Sequence, residues 1–337
     1  MPTPSKPSAQ KAVAPRPNKA NHRQRASSPG QPTDDVSPAW IAKSVGLVLL
    51  AAVVCGYLTL CALYYQGQWQ LVLHPASTIT ATPASVGLQF EAVGFDDTEA
   101  GQPQLTGWWI PAEPTASRAQ VTILYMHDGW GSLSSTVPRL ELLHKLGANI
   151  FAIDYRGFGK SADVHPSEQR MYDDEDAAWH YLTETRKLAP ASIVLFGERL
   201  GADVAAEAAL RHPQATAVVM LAPFPSMLPT VLHDPRSDIV PVRLLFHNRF
   251  DLNAKIARIK QPKLLGFAGD EVCPQNTTGL LPPCPASDAA HTLYTAASDP
   301  KQYYGGDAQS ARVNGNTALL GFLSRFLDDS LPATARR

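Results

Sequence analysis

The chain has 337 residues, 45% hydrophobic and 18% charged, with a net charge of −1; a core of useful size is within reach, in one domain of roughly 270 residues once a tail and an anchor are set aside. That neutrality is uneven, because residues 1–43 hold seven Lys or Arg against Asp34 and Asp35, leaving 22 basic and 28 acidic residues for the rest. A mildly acidic domain without an aromatic-studded basic face argues against nucleic acid as a partner.

Residues 1–38 carry eight prolines among Ser, Ala, Gln, Lys and Arg and almost no large apolar side chain. Such a segment cannot bury enough surface to offset the entropy of ordering, so residues 1–44 are expected to be a disordered basic tail. It reads as a solvated tether; docking of Lys6, Lys11, Lys19, Arg23 and Arg25 on anionic lipid heads is the other reading. Residues 45–65, Val45 to Tyr65, then run without a charge. About 20 apolar residues suffice to cross a bilayer at 1.5 Å per residue, so this predicts one transmembrane helix and makes the membrane a partner. A cleaved signal peptide fits less well, since the run is long and far from the start, and Tyr64, Tyr65, Gln66 and Trp69 after it suit an interfacial belt. Lys43, Arg25 and Arg23 precede the span, while no Lys or Arg occurs from Ser44 to Ser117. The positive-inside rule therefore puts the tail in the cytoplasm and the domain outside it, in a periplasm or lumen.

Residues 66–330 read as the domain and 331–337 as a C-terminal tail. Leu88–Phe95 and Gln104–Ile110 predict an antiparallel hairpin. Strand and helix then alternate: strand Val121–Met126, helix Thr136–Leu146, strand Asn149–Tyr155, helix Gln169–Arg186, strand Ser192–Phe196, helix Leu200–Arg211 and strand Ala217–Ala222. Strands Lys263–Phe267 and Thr292–Ala297 and a helix Thr317–Leu327 complete the series, which predicts a mostly parallel sheet flanked by helices.

The stretch Ser192 to Glu207 reads as a buried strand turning sharply into a small-residue helix, with Gly197 and Gly201 around Arg199. Around it stand, in order, Gln70 to Pro75, Gly107-Trp108-Trp109-Ile110-Pro111, His127-Asp128-Gly129 after a strand, and Asp154-Tyr155-Arg156-Gly157-Phe158-Gly159-Lys160-Ser161. Downstream come Ala222-Pro223-Phe224-Pro225-Ser226-Met227 and Gly269-Asp270-Glu271-Val272-Cys273-Pro274. On these segments the chain resembles the α/β-hydrolases, and within them the membrane-anchored, serine aminopeptidase-like proteins. The resemblance covers roughly residues 66 to 327. It implies the α/β-hydrolase fold preceded by one transmembrane helix, a family chemistry of ester, amide or thioester hydrolysis by a nucleophile, acid and histidine in that chain order, and no cofactor.

Against that pattern the triad is degenerate. Asp270 matches the acid. The nucleophile position holds Arg199, whose guanidinium stays protonated, offers only donors and cannot form an acyl-enzyme. Where relatives carry a Gly-Gly-His turn, this chain has Gly305-Gly306-Asp307, and no histidine occurs from Thr292 to the end. Relatives generally have Gly after the histidine of the oxyanion loop, and here Asp128 stands there, opposing oxyanion stabilisation if it points inward. Arg199, Asp270, Asp307 and Asp128 share charge, which suits either a static ion-pair cluster or a site for a ligand carboxylate or phosphate at the start of the following helix.

Several other residues have plain readings. Ser132, Ser134 and Ser135 cap a helix, His127 contributes its backbone more than its ring, His291 is exposed, and Asp173, Asp174, Glu175 and Asp176 form a solvated helix face. Cys273 and Cys284 flank a proline-containing loop; outside the cytosol they either form a disulfide or remain two thiols, and no second pair of ligands stands at metal spacing. The expectation for function is a membrane-tethered, non-hydrolytic binding or assembly module with a small anionic ligand or a protein as partner. The alternatives are an active serine hydrolase-like enzyme using another constellation and a structural membrane partner.

Overall fold

The computed structural model describes residues 37–97, 101–268, 287–306 and 316–332. Helix α1, Pro38–Gly67, spans 30 residues and buries none of them. It is the one helix among the described residues long and apolar enough to cross a membrane. Backbone proximity divides the chain after Val54, and the last turns of α1 belong with the domain.

The domain is built on an eight-stranded sheet: β1 (Glu91–Asp97), β2 (Pro103–Ile110), β3 (Thr122–Met126), β4 (Asn149–Asp154), β5 (Ile193–Glu198), β6 (Ala217–Leu221), β7 (Lys263–Ala268) and β8 (Lys301–Gly306). Its spatial order is β8-β7-β6-β5-β3-β4-β2-β1. Strands β3 to β8 run parallel, while β2 is antiparallel to both β1 and β4. This is the mostly parallel α/β-hydrolase sheet that the segment order predicts. Strands β3, β5 and β6 are buried at every residue, as a sheet covered on both faces requires.

Alternation divides the core in two. Leu124 and Met126 of β3 and Leu195 of β5 face one layer, where helices α3 (Glu168–His180) and α4 (Leu200–Arg211) bring Ala178, Trp179, Ala205 and Ala209. Ile123 and Tyr125 of β3 and Phe196 of β5 face the other, under Leu140 and Leu143 of α2 (Leu133–His144). Ser132 caps α2 by accepting from the Ser134 amide, as its sequence position predicts.

Four expectations need correction. Residues 38–44, expected to belong to the disordered tail, form the first turns of α1. Thr292–Ala297 is not the last strand but lies at the end of α5 (Ser287–Ala296), with Leu293 and Ala297 buried four residues apart. The last strand among the described residues is β8, which starts nine residues after Thr292, and it is followed by α6 (Asn316–Ser330). The long helix expected to Arg186 is α-helical only to His180 and finishes in a π-turn, Tyr181–Thr185. The run Asp173–Asp176 is not a solvated face, because Asp174 and Glu175 are fully buried. The α-helical rotation of 100° per residue sends the two middle acids inward while Asp173 stays exposed.

Candidate functional site

Chain order reverses between β3 and β5: after β3 the chain crosses to β4 on one side and returns to β5 on the other. Ligands of open α/β sheets bind beyond the carboxyl ends of strands at such a switch point. Here those ends carry the His127-Asp128-Gly129 loop and the turn at Arg199.

Arg199 leaves β5 with φ 53° and ψ −111°, and α4 starts at the next residue. A non-glycine residue held there carries about 1–3 kcal/mol of strain, so the surroundings must impose it. They do so through two glycines. A Cβ on Gly197 would lie 2.0 Å from the Gly201 carbonyl oxygen; one on Gly201 would lie 2.3 Å and 2.5 Å from the carbonyl oxygens of Met126 and His127. The Arg199 amide donates to Leu221 of β6 at 2.8 Å and fixes the turn to the sheet.

The Arg199 side chain is 8% exposed, and its Nε lies 4.0 Å from Asp128 Oδ2. Its guanidinium also stands 5.3 Å above the Phe224 ring, a cation–π contact. Asp128 therefore does turn toward the elbow, and its Oδ1 accepts from the Trp130 amide at 3.1 Å. Loss of solvation pushes Asp128 up to about 6, opposed by the Arg199 charge and the Trp130 amide. Desolvation likewise lowers Arg199, opposed by Asp128 and Glu198. Glu198, its sequence neighbour, has its carboxylate on other partners: it accepts from the Tyr125 hydroxyl at 2.9 Å and meets Arg139 of α2 at 2.5 Å.

His127 is fully buried, with its ring 4.5 Å from Tyr155 and 5.0 Å from Phe158. Its Nδ1 accepts from the Gly129 amide at 3.2 Å, and burial pushes it down to about 3, so it is neutral across physiological pH. The expectation that its backbone matters more than its ring is thus corrected: the ring is core. Gly129 has φ +76°, and a Cβ there would come within 2.9 Å of Leu73 Cδ2. The segment after α1 straps this loop down, with the His74 amide donating to Gly129 at 3.0 Å and the Ala76 amide to Gly131 at 2.7 Å.

Asp270, Asp307, Cys273 and Cys284 lie outside the described residues. By sequence Asp270 follows the end of β7 by two residues and Asp307 follows β8 directly. Among the described residues no group of three His, Cys, Asp or Glu is placed to hold a metal ion.

Sequence reasoning missed two polar anchors. Asp154, at the end of β4, accepts from the Leu133 amide at 2.9 Å, and burial pushes it up to about 7. Between α3 and α4, Asp203 is buried; its Oδ2 lies 2.5 Å from the Tyr172 hydroxyl and 2.8 Å from Lys255 Nζ. The same tyrosine hydroxyl reaches Glu168 Oε1 at 2.6 Å. The only signal for the second anchor was an aspartate three residues inside an alanine-rich helix.

The model of the family described as serine aminopeptidase, S33, matches residues 118–269. The uncharacterized protein Rv2307c of Mycobacterium tuberculosis is 31% identical over 209 residues, 61% of this chain and 67% of that one. The uncharacterized protein MT2364 of another M. tuberculosis strain, CDC 1551, is 29% identical over 262 residues, 76% of this chain and 84% of that one. Among solved structures, an esterase of Pyrococcus furiosus, Pf2001, superposes with a TM-score of 0.58 at 18% identity, over 77% of this chain and all of the esterase. An α/β hydrolase from Vibrio vulnificus gives 0.53 at 20% identity, over 72% of this chain and 82% of that one. At these identities the two structures speak for the fold alone.

Proposed function

The chain belongs to the α/β-hydrolase superfamily, and we propose that this member is a membrane-tethered, non-hydrolytic binding module whose elbow presents a guanidinium where a nucleophile would stand. One observation carries the reading: Arg199 occupies the strained turn between β5 and α4, and its side chain reaches Asp128 of the oxyanion loop. An acyl-transfer enzyme needs an atom there that can attack a carbonyl and leave again, with a base to take its proton. Arginine supplies neither. The buried His127, pushed down to about 3, is a poor base, and no histidine follows β8 in the sequence.

What the site can do is recognise negative charge. The guanidinium fork sits at the amino end of the 12-residue helix α4, where backbone amides and the helix dipole add to its field. Asp128 balances that charge when ionised and releases it when protonated, below about pH 6. A carboxylate or phosphate on a small ligand or a protein partner has the matching chemistry. The Arg199–Asp128 pair also joins the elbow to the oxyanion loop, so one contact serves both recognition and assembly.

The tether is supported by the length and apolar character of α1, and the basic residues at and before its start support the reading that the domain lies outside the cytoplasm. The test is a fluorophosphonate probe and a short-chain aryl ester applied to the full-length protein in detergent. Neither should react above buffer. Labelling of the wild type that survives Arg199→Ala would mean a working nucleophile elsewhere and would end this reading.

A further inference from the structure

Outside α1, the two most exposed large apolar side chains among the described residues are Leu244, at 77%, and Ile239, at 60%; the next, Tyr303, is at 42%. Both lie in one segment, residues 228–249, which follows β6 and is stitched to the end of α1. Gln68, itself 4% exposed, donates to the Leu245 carbonyl at 2.9 Å and accepts from the His247 amide at 2.6 Å, while the Tyr65 and His247 rings meet at 4.4 Å. Ile239 lines the same space as Leu60 and Leu63 of α1, and Leu244 is the sequence neighbour of the residue bonded to Gln68.

Between this segment and α1 opens a cavity of about 260 Å³. Its lining mixes two chemistries: the apolar Leu60, Leu63, Leu71, Ile239 and Val240, and the polar Arg236 and Tyr64. The Tyr64 hydroxyl is buried without a hydrogen-bond partner among the described residues. Arg236 gives two donors to Asp234, at 2.8 Å and 2.7 Å, and a guanidinium has five. A donor pair beside an apolar slot, next to a helix suited to a bilayer, matches a molecule with a phosphate at one end and hydrocarbon at the other.

We propose that this cavity binds one bilayer phospholipid, its phosphate on Arg236 and Tyr64 and an acyl chain along Leu63 and Ile239, with Leu244 dipping into the same leaflet. The site rests on α1 lying in a membrane. It is independent of what Arg199 does. Its role is to hold the domain at a fixed height and rotation on the surface, which a flexible linker after the span would not do.

The test uses the full-length protein in detergent micelles, titrated with phosphatidylglycerol and read by native mass spectrometry. One retained lipid per chain is expected. Ile239→Asp should weaken its apparent affinity by roughly tenfold or more, the scale of losing one buried aliphatic side chain. Arg236→Gln should weaken it less, and Leu244→Asp should leave the retained lipid in place while reducing partition of the domain onto vesicles. Because Ile239 and Arg236 are exposed, melting temperatures should stay at the wild-type value. A photoactivatable phosphatidylglycerol on wild-type protein gives a readout free of any variant: crosslinks should map to residues 60–71 and 236–244. Crosslinks confined to residues 45–58, or lipid retained equally by both cavity variants, would overturn the site. Recovery of the protein in the soluble fraction would instead show that the tether itself is wrong.

Discussion

At the elbow, backbone contacts between glycines and carbonyl oxygens force a strained turn, and the charge it carries meets Asp128 at 4.0 Å. Between α3 and α4 the backbone is regular helix, and the geometry comes from side chains instead: Tyr172, Asp203, Lys255 and Glu168 converge at 2.5 to 2.8 Å. Burial pushes both aspartates up to about the same point, near 6. One electrostatic cost is thus met by two constructions. A turn held by backbone packing depends little on the side chain at its apex, so arginine can stand there with the fold intact. A network held by side chains tolerates almost no substitution.

The largest expected effect comes from attacking the backbone construction. Gly201→Val puts a branched side chain where even a Cβ would stand 2.3 Å from the Met126 oxygen, and neither strand nor helix can move away from it. The loss should be about 5 kcal/mol or more, comparable with the whole stability of a typical domain. A variant that melts within a few degrees of wild type would show that the close approach is not what holds the turn.

Next in size is the network. Asp203→Ala leaves Lys255, 12% exposed, with only Glu207 at 3.5 Å among the described carboxylates. Removing the nearer partner of this largely buried charge costs up to about 3 kcal/mol, measurable by denaturant titration. By contrast, Arg199→Ala should cost clearly less, since the turn survives without its side chain. Equal losses at the two sites would erase the distinction drawn between them.

A smaller effect depends on pH. Asp128 has its folded-state value raised to about 6, so the folded protein binds its proton more tightly than the unfolded chain does. Its contribution is complete below the unfolded value near 4 and is lost as pH rises through 6. Asparagine keeps the acceptor for Trp130 but cannot ionise. Plotted against pH, wild-type stability minus that of Asp128→Asn should fall mainly between pH 4 and 6 and then level off, by about 1–2 kcal/mol in all once the 30% exposure of the side chain is allowed for. A flat difference, or one that rises, contradicts the assigned burial of Asp128.

The contrast also explains what could be read from the sequence. Backbone constructions leave local signatures, because only glycine fits at Gly197 and Gly201, and continuous apolar runs such as Thr122–Met126 have few structures open to them. The elbow and the sheet were therefore legible, whereas the direction in which Asp128 turns was left open by the sequence and is given by its contact with Arg199. Side-chain constructions leave none. Asp203 meets Lys255 across 52 residues, and nothing near either marks the other. Asp174 and Glu175 read as solvated because a run of four acids hides the helical rotation that buries the middle two. Thr292–Ala297 read as strand from its Thr, Leu and Tyr content, where β-propensity competed with the four-residue spacing of Leu293 and Ala297 and packing decided for the helix.

The smallest expected effect is the most pointed: Arg199→Ser should create no hydrolase. The turn would present a hydroxyl in a geometry suited to attack, since its φ and ψ are imposed by Gly197 and Gly201 and not by the arginine. A serine nonetheless needs a base to take its proton and return it to the leaving group. His127 cannot supply one, because its Nδ1 already accepts from Gly129, its ring is packed against Tyr155 and Phe158, and burial has pushed it down to about 3. The position after β8 holds Asp307, a carboxylate that would give two acids and no imidazole between them. Asp128 adds to the deficit above pH 6 by placing a negative charge where an oxyanion would form. On a short-chain aryl ester, Arg199→Ser should stay at the buffer rate. Arg199→Ser with Asp307→His should rise above it, and adding Asp128→Gly should raise the rate again by removing the opposing charge. Hydrolysis by the single variant would mean that a proton acceptor already faces the elbow, and the chain would then be one substitution from an enzyme, not three.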